Sequence, residues 1–213
     1  MDLPLATVWI VDGDDVPDAV LVSYLSWLNA AEQVRYAGFV RPLRQRQFLI
    51  GRVLLRLALG ELLGLPSSQL RFVERAGRSP QLDMPGLQAG FSLSHSGPWV
   101  ACAVCAQGAL GLDIELPQAQ RDVAALALQS FDAEDRAWLA AQPAIEPAFY
   151  QRWCRNEARI KLVSNNEGPV SLCDVVLAHP VLTIALCCTQ PVLASMRRQP
   201  ISTASSTGPA SAD

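Results

Sequence analysis

Asp113 and Glu115, in "LGLDIE", stand two residues apart in one of the most apolar parts of the chain. In a strand successive side chains alternate faces, so both carboxylates point the same way. Side by side they repel, and half-buried they also lose hydration, so the pair calls for a cation. A second stretch, "WCRNEARIK", places Trp153, Glu157 and Lys161 at i, i+4 and i+8 of a helix, on one face. A third carboxylate and an ammonium facing an Asp-x-Glu strand make an oxygen-rich site for a hard cation. Mg²⁺ suits it, since a few carboxylates hold it and water and substrate phosphate oxygens complete its shell. Taken singly, each part has an ordinary reading, because Glu–Lys pairs at i,i+4 are common on helix surfaces. Lys161, however, is the one lysine among 17 lysines and arginines. A compact charge that can follow a moving phosphate is a reason to keep lysine where arginine otherwise prevails.

A third stretch, "FSLSHSGPWV", flanks His95 with Ser94 and Ser96 and follows them with Gly97. Hydroxyls, an imidazole and backbone N–H groups at the end of a strand suit a phosphate. A Ser–His nucleophile pair is the rival, but adjacent strand residues face opposite sides and no G-x-S-x-G elbow is present. His179, before Pro180, reads as an exposed turn residue. From Gln33 to Gly60 there are six arginines and no acid. Such a run suggests an anionic partner (phosphates, an acidic protein or nucleic acid), with a solvated helix face as the plainer account. Cys102 and Cys105 form a C-x-x-C, yet three apart in a strand they face opposite sides and cannot chelate one ion. The six cysteines read as buried reduced thiols.

The elements that must position these residues follow from periodicity and punctuation. "ATVWIV" reads as a strand. A helix runs from about Leu43 to Leu63, ended by Gly64 and Pro66. "LRFVE" is a short strand, "RAGRSPQLDMPGLQ" a turn-rich loop, and "GFSLSHS", "WVACAVC" and "ALGLDIE" are strands. "SFDAEDRAWLAAQ" has a capping Asp or Ser and an amphipathic pattern. A further helix spans about Glu146 to Val163, stopped by "NNEGP", and "VSLCDVVLA" with "VLTIALCC" makes a final hairpin. "RRQPISTASSTGPASAD" is a polar low-complexity tail, expected to be disordered. Strands and helices mix without strict βαβ alternation, so the class is α+β. At 213 residues, half of them hydrophobic, the chain can bury a proper core. With no long apolar run and no basic start in "MDLPLATVWIVDGDD", a soluble, cytoplasmic protein is expected.

The motifs, in order, resemble the Sfp-type 4′-phosphopantetheinyl transferases, the monomeric class built from two similar α+β halves in pseudo-two-fold arrangement. That family's pattern is a basic R-x-x-x-R helix, a G-K-P loop, F-N-x-S-H-S-G, G-x-D-x-E and W-x-x-K-E-A-x-x-K. Here they stand as "RVLLR", "GRS", "FSLSHSG", "GLDIE" and "WCRNEARIK", in register from about Ala31 to Gly168. The resemblance implies an N-terminal half, residues 1–107, on the adenosine and 3′-phosphate side of coenzyme A. It implies a C-terminal half, 108–195, with the Mg²⁺-binding motifs, and leaves 196–213 as the disordered tail. Asp113, Glu115 and Glu157 would bind Mg²⁺ on the pyrophosphate of coenzyme A. Ser94 and His95, with Arg52 and Arg78, would hold the 3′-phosphoadenosine part. Lys161 would neutralise the pyrophosphate, and Glu157, directly or through a metal-bound water, would deprotonate a serine of an apo acyl or peptidyl carrier protein. That oxygen would attack the β-phosphate and release 3′,5′-ADP, chemistry that rests on positioning and charge neutralisation. Carrier proteins are acidic, which gives the arginine run a second task. No nucleic-acid or membrane partner is implied.

The sequence departs from the pattern at Asn156, where the family has lysine, with Arg155 one residue earlier as a partial substitute. It departs again at Gly77-Arg78-Ser79, Phe91-Ser92 and "LVSNNEGPVSL". The alternative reading is therefore a weakened or inactive relative that binds the carrier protein or coenzyme A.

Overall fold

The computed structural model describes residues 3–75, 78–84, 86, 89–164 and 172–202. In chain order these form β1 (Leu5–Asp12), α1 (Asp18–Ser23), α2 (Ala30–Ala37), α3 (Pro42–Leu63), β2 (Phe72–Val73), β3 (Gln81–Leu82), β4 (Gly90–Ser96), β5 (Trp99–Cys105) and β6 (Leu110–Glu115). They continue with α4 (Val123–Ser130), α5 (Ala133–Ala140), α6 (Ile145–Ser164), β7 (Cys173–Leu177), β8 (Thr183–Cys188) and β9 (Leu193–Arg198). The α+β class expected from the sequence holds. Gly77, the "NNEGP" segment and residues 203–213 lie outside the described residues.

β1 is apolar on both sides because it is covered on both sides. Trp9 and Val11 pack under α3, against Ile50, Leu54 and Leu59. Val8 and Ile10 face the other way, towards Leu112, Ile114, Ile184 and Leu186 of the second sheet. The first sheet has the order β4-β5-β1-β9, with β1 antiparallel to β5 and parallel to β9. The second has the order β6-β8-β7, all antiparallel. α3 begins with Pro42 in its first turn, where the missing N–H costs nothing, and stops at Gly64, whose φ of 65° no side chain adopts readily. α6 lies across the second sheet through Cys154, Ala158 and Leu162.

Two expectations are corrected. A tail beginning at residue 196 cuts through a strand: β9 pairs with β1 as far as Arg198 against Ile10. Beyond it Ile201 is buried and the Tyr24 hydroxyl donates to the Ser202 carbonyl at 2.8 Å. The strand was masked by its composition, since Met196, Arg197 and Arg198 read as polar tail; Arg197 in fact lies 3.6 Å over the Trp9 ring, which buries its stem and stacks its cation on a π face. The arginine run is the second. Arg56 is wholly buried and pairs with buried Glu32 at 2.6 Å, and Arg52 lies 3.2 Å from the same carboxylate and pairs with Glu74. Arg35 also reaches Glu74, and Arg46 donates to the Gly13 and Val16 carbonyls and pairs with Asp18. Most of the run is therefore neither a solvated face nor a free anion-binding patch.

Candidate active site

The two sheets meet along β4 and β6, and three serines at alternate positions make the joint. Ser92 Oγ accepts from the Leu112 N–H at 2.9 Å, Ser94 Oγ from Ile114 at 3.2 Å and Ser96 Oγ from Leu116 at 3.0 Å. Period-two side chains share one face of β4, so hydroxyls replace carbonyls in pairing to the next strand. The same serines hold the acids: Ser94 Oγ donates to Asp113 Oδ1 at 2.9 Å and Ser96 Oγ to Glu115 Oε2 at 3.0 Å. Ser92 was missed as a site residue, and Ser96, expected to offer its hydroxyl to a phosphate, instead holds Glu115. The S-x-S-x-S alternation signalled their common face, while the strand they bind was not readable locally.

α6 supplies the cation that the opening pair of carboxylates calls for. Lys161 Nζ donates to Asp113 Oδ1 at 2.7 Å, Ser94 Oγ at 2.9 Å and the Leu112 carbonyl at 3.0 Å. The helix comes this close because β6 has no side chain at Gly111: a Cβ there would sit 1.9 Å from the Ala158 carbonyl oxygen. Asp113 is 5% exposed, and its Oδ2 has no hydrogen-bond partner among the described residues. Burial and then the charge of Asp113 hold both Glu115 and Glu157 above the ordinary carboxylate range; Ser96, Arg121 and Trp153 oppose this at Glu115, and Lys161 at Glu157. Both glutamates thus feel the charge of Asp113.

Beside them opens a cleft of about 510 Å³ lined by Arg44, Arg52, Arg78, Ser94, His95 and Lys161. Arg35 also lines it, and no described acid does. Arg44 donates to the His95 ring. The imidazole is pushed down to about 4 by desolvation, by Arg44 and by Lys161. His95 is exposed on the cleft wall, where the positive charges of Arg44 and Lys161 disfavour a third. The ring is therefore neutral at physiological pH.

Every expected coenzyme-side residue faces this cleft, but not all are uncommitted. Arg52 is engaged by Glu32 and Glu74, and the Ser94 hydroxyl by Asp113, Ile114 and Lys161. Glu157 opens onto a second cavity on the flank of α6, shared with Asp135, Arg155 and Asn156. Arg155 donates to Asp174 at 2.7 Å, so it does not replace the absent lysine. His179 is not simply exposed: its Nδ1 accepts from Leu182 N at 3.1 Å and its ring meets Trp99 edge-on.

A cationic cleft, with a lysine that joins it to the acids of β6, is the layout of a site that handles phosphate groups. Comparison with known proteins gives its family. A family model described as "4'-phosphopantetheinyl transferase superfamily" matches residues 109–191, and one described as "4'-phosphopantetheinyl transferase, N-terminal" matches residues 17–107. The 4'-phosphopantetheinyl transferase HetI of Nostoc sp. is 29% identical over 168 residues, 77% of this chain and 70% of the relative. Psf-1 of Bacillus pumilus is 35% identical over 136 residues, 62% of this chain and 54% of the relative. Sfp of Bacillus subtilis is 30% identical over 149 residues, 63% and 64% of the two chains. This chain thus spans from little more than half to about two thirds of the length of these relatives. The chain belongs to the 4'-phosphopantetheinyl transferase family, of the Sfp type, a family of transferases.

Proposed function

We propose that this chain transfers the 4′-phosphopantetheine group of coenzyme A to a serine of an apo acyl or peptidyl carrier protein and releases 3′,5′-ADP. The observation that supports this most is the junction at Lys161, which touches the acid cluster and lines the cationic cleft at once. Arg78, His95 and Arg44 face the negative charge of the 3′-phosphoadenosine part, and Arg52, held by Glu32 and Glu74, stiffens the wall. Lys161 moves part of its charge from Asp113 to the pyrophosphate. Glu157, whose raised pKa suits a proton acceptor, takes the proton from the serine hydroxyl. The serine oxygen then bonds to the β-phosphorus as the bond from that phosphorus to the bridging oxygen breaks, and 3′,5′-ADP carries the electron pair away.

Asp113, Glu115 and Glu157 are the residues that would hold Mg²⁺. Their chemistry fits: all are carboxylates, and Asp113 Oδ2 is a buried acceptor without a donor among the described residues. No group of three or more His, Cys, Asp or Glu among the described residues is gathered closely enough to hold an ion by itself. When bound, Mg²⁺ supplies charge neutralisation on the pyrophosphate. The second reading, a carrier- or coenzyme-binding module without turnover, is favoured by one observation: the Asn156 amide is taken up by Asp135 at 2.6 Å and brings no cation to the cleft. The test is 3′,5′-ADP release from coenzyme A and Mg²⁺ with a panel of apo-carriers. Release that requires a carrier supports the transferase; carrier binding without release supports the module.

We place the protein in the cytoplasm as a monomer. No helix among the described residues is long and apolar enough to cross a membrane.

A further inference from the structure

Glu157 and Lys161 can act only if α6 is held at the right rotation and height, and its packing on the sheet does not secure that. The residues beneath it, Cys154, Ala158 and Leu162, are small or apolar, and their contacts are non-directional apart from the weak bond of Cys154 Sγ to the Thr183 carbonyl at 3.4 Å. Directional contacts come from two carboxylates on other elements. Asp135 of α5 accepts from the Asn156 amide at 2.6 Å and forms an ion pair with Arg152 at 2.5 Å that lacks hydrogen-bond geometry. Asp174 of β7 accepts from Arg155 Nε at 2.7 Å and from Arg159 Nε at 3.1 Å, with a second contact to the Arg159 guanidinium. Each acid grips an i,i+4 pair, and the two grips interleave along the helix, 152 and 156 with 155 and 159. At about 100° per residue the three arginines lie on the far side of the helix from Glu157 and Lys161, and Asn156 stands about 100° from Glu157.

Burial strengthens the grip of Asp135, while the arginines held by Asp174 are partly exposed. Asp135 and Arg152 side chains are 13% and 14% exposed, and Arg152 stacks 4.8 Å over Trp138, one turn further along α5. In spite of burial, Asp174 is pulled below the usual carboxylate range by its bonds to Arg159 and Cys187 and by the charge of Arg155.

We propose that Asp135 and Asp174 are positioning residues for the transfer reaction, fixing α6 from behind so that Glu157 and Lys161 meet Asp113 and the cleft. On this account Asn156 is the second donor to Asp135, so the position works as a helix–helix tie instead of a phosphate contact. The proposal rests on the transferase reading for its effect on turnover, but the clamp has a readout of its own.

The test uses the full chain with Asp135→Asn, Asp174→Asn and Asp174→Glu. Asn keeps the shape and removes the charge; Glu keeps the charge on a longer arm. Hydrogen exchange of the substrate-free protein should show the amides of residues 152–164 opening about tenfold faster in both Asn variants, with the α3 amides unchanged. In the transfer assay kcat should fall about tenfold or more while the KM for coenzyme A stays within about twofold, because misplacement costs rate more than binding. Asp174→Glu should recover both signals in part. Unchanged exchange in α6 would overturn the clamp. So would faster exchange spread over the whole chain with a matching fall in melting temperature, which marks a merely structural role. If the wild type transfers nothing to any carrier, the functional reading fails first, and the exchange result still decides whether α6 is clamped.

Discussion

Replacing Lys161 by methionine deletes the ammonium that joins the two parts of the site while keeping the apolar stem. The lost contacts are those at 2.7 Å to Asp113, 2.9 Å to Ser94 and 3.0 Å to the Leu112 carbonyl. The Asp113 side chain is 7% exposed, so the variant leaves a carboxylate in a low-dielectric wall with Glu115 and Glu157 as charged neighbours. Removing one partner of a buried pair costs about 3–5 kcal/mol. Lys161 is 29% exposed and water can follow into its place, so the lower end, about 3 kcal/mol, applies. For a chain of this size 1 kcal/mol moves the melting temperature by about 2–4 °C, which gives a fall of about 6–12 °C. Asp113→Asn in the same chain removes the stranded charge, so the double variant should melt above Lys161→Met alone. Scanning calorimetry in metal-free buffer at neutral pH measures wild type, the two single variants and the double variant. Additive losses, or a Lys161→Met variant as stable as wild type, would refute the pairing as the main support of Asp113.

Glu157→Gln should lower turnover by about 10²-fold or more, since proton removal and charge stabilisation are each worth that much, and should raise the metal-free melting temperature at neutral pH. The sign follows from the raised pKa: the folded state binds more protons than the unfolded one, so wild-type stability falls as pH climbs from the ordinary carboxylate range through the raised folded value, and a melting series against pH should show that slope reduced in the variant. His95 works in the opposite sense. With its folded pKa lowered to about 4, the unfolded state binds more protons, so stability is lost as pH falls from the ordinary histidine range towards 4, and His95→Gln should flatten that loss. Truncation after Met196 removes the end of β9 and buried Ile201; burial of one such side chain is worth about 1.5–3 kcal/mol, so the melting temperature should drop by about 3–12 °C, and an unchanged value would mean that the segment beyond Met196 adds nothing to stability.

How far the sequence carried the reading depended on whether the partner was near in the chain. β1, α3 and α6 were legible because β-branched runs, Pro42, Gly64 and the i, i+4 stripe are local signals. The acid–lysine pairing was legible too, since one strand face and one helix face could be set against each other. The fate of the arginines was not. Arg56 and Arg52 find Glu32 and Glu74, which lie on either side of the acid-free window and reach it only once α2 and the segment after β2 fold against α3. Glu32 is further hidden because it also caps α2, accepting from the Asn29 N–H at 3.0 Å. β9 escaped notice because a parallel edge strand pairs with residues at the other end of the chain, and Arg197 over Trp9 gives no periodicity to read. Asn156 and Arg155 showed as departures from a motif, but their partners, Asp135 and Asp174, needed α5 and β7 in place.

The most direct measurement is the mass of an apo-carrier serine peptide after incubation with this protein, coenzyme A and Mg²⁺, alongside the Glu157→Gln variant. The account predicts the added mass of one 4′-phosphopantetheine on the serine with wild type, and little or none in the same time with the variant. Carriers that bind the protein yet stay unmodified throughout, or modification that is as fast with Glu157→Gln, would contradict it.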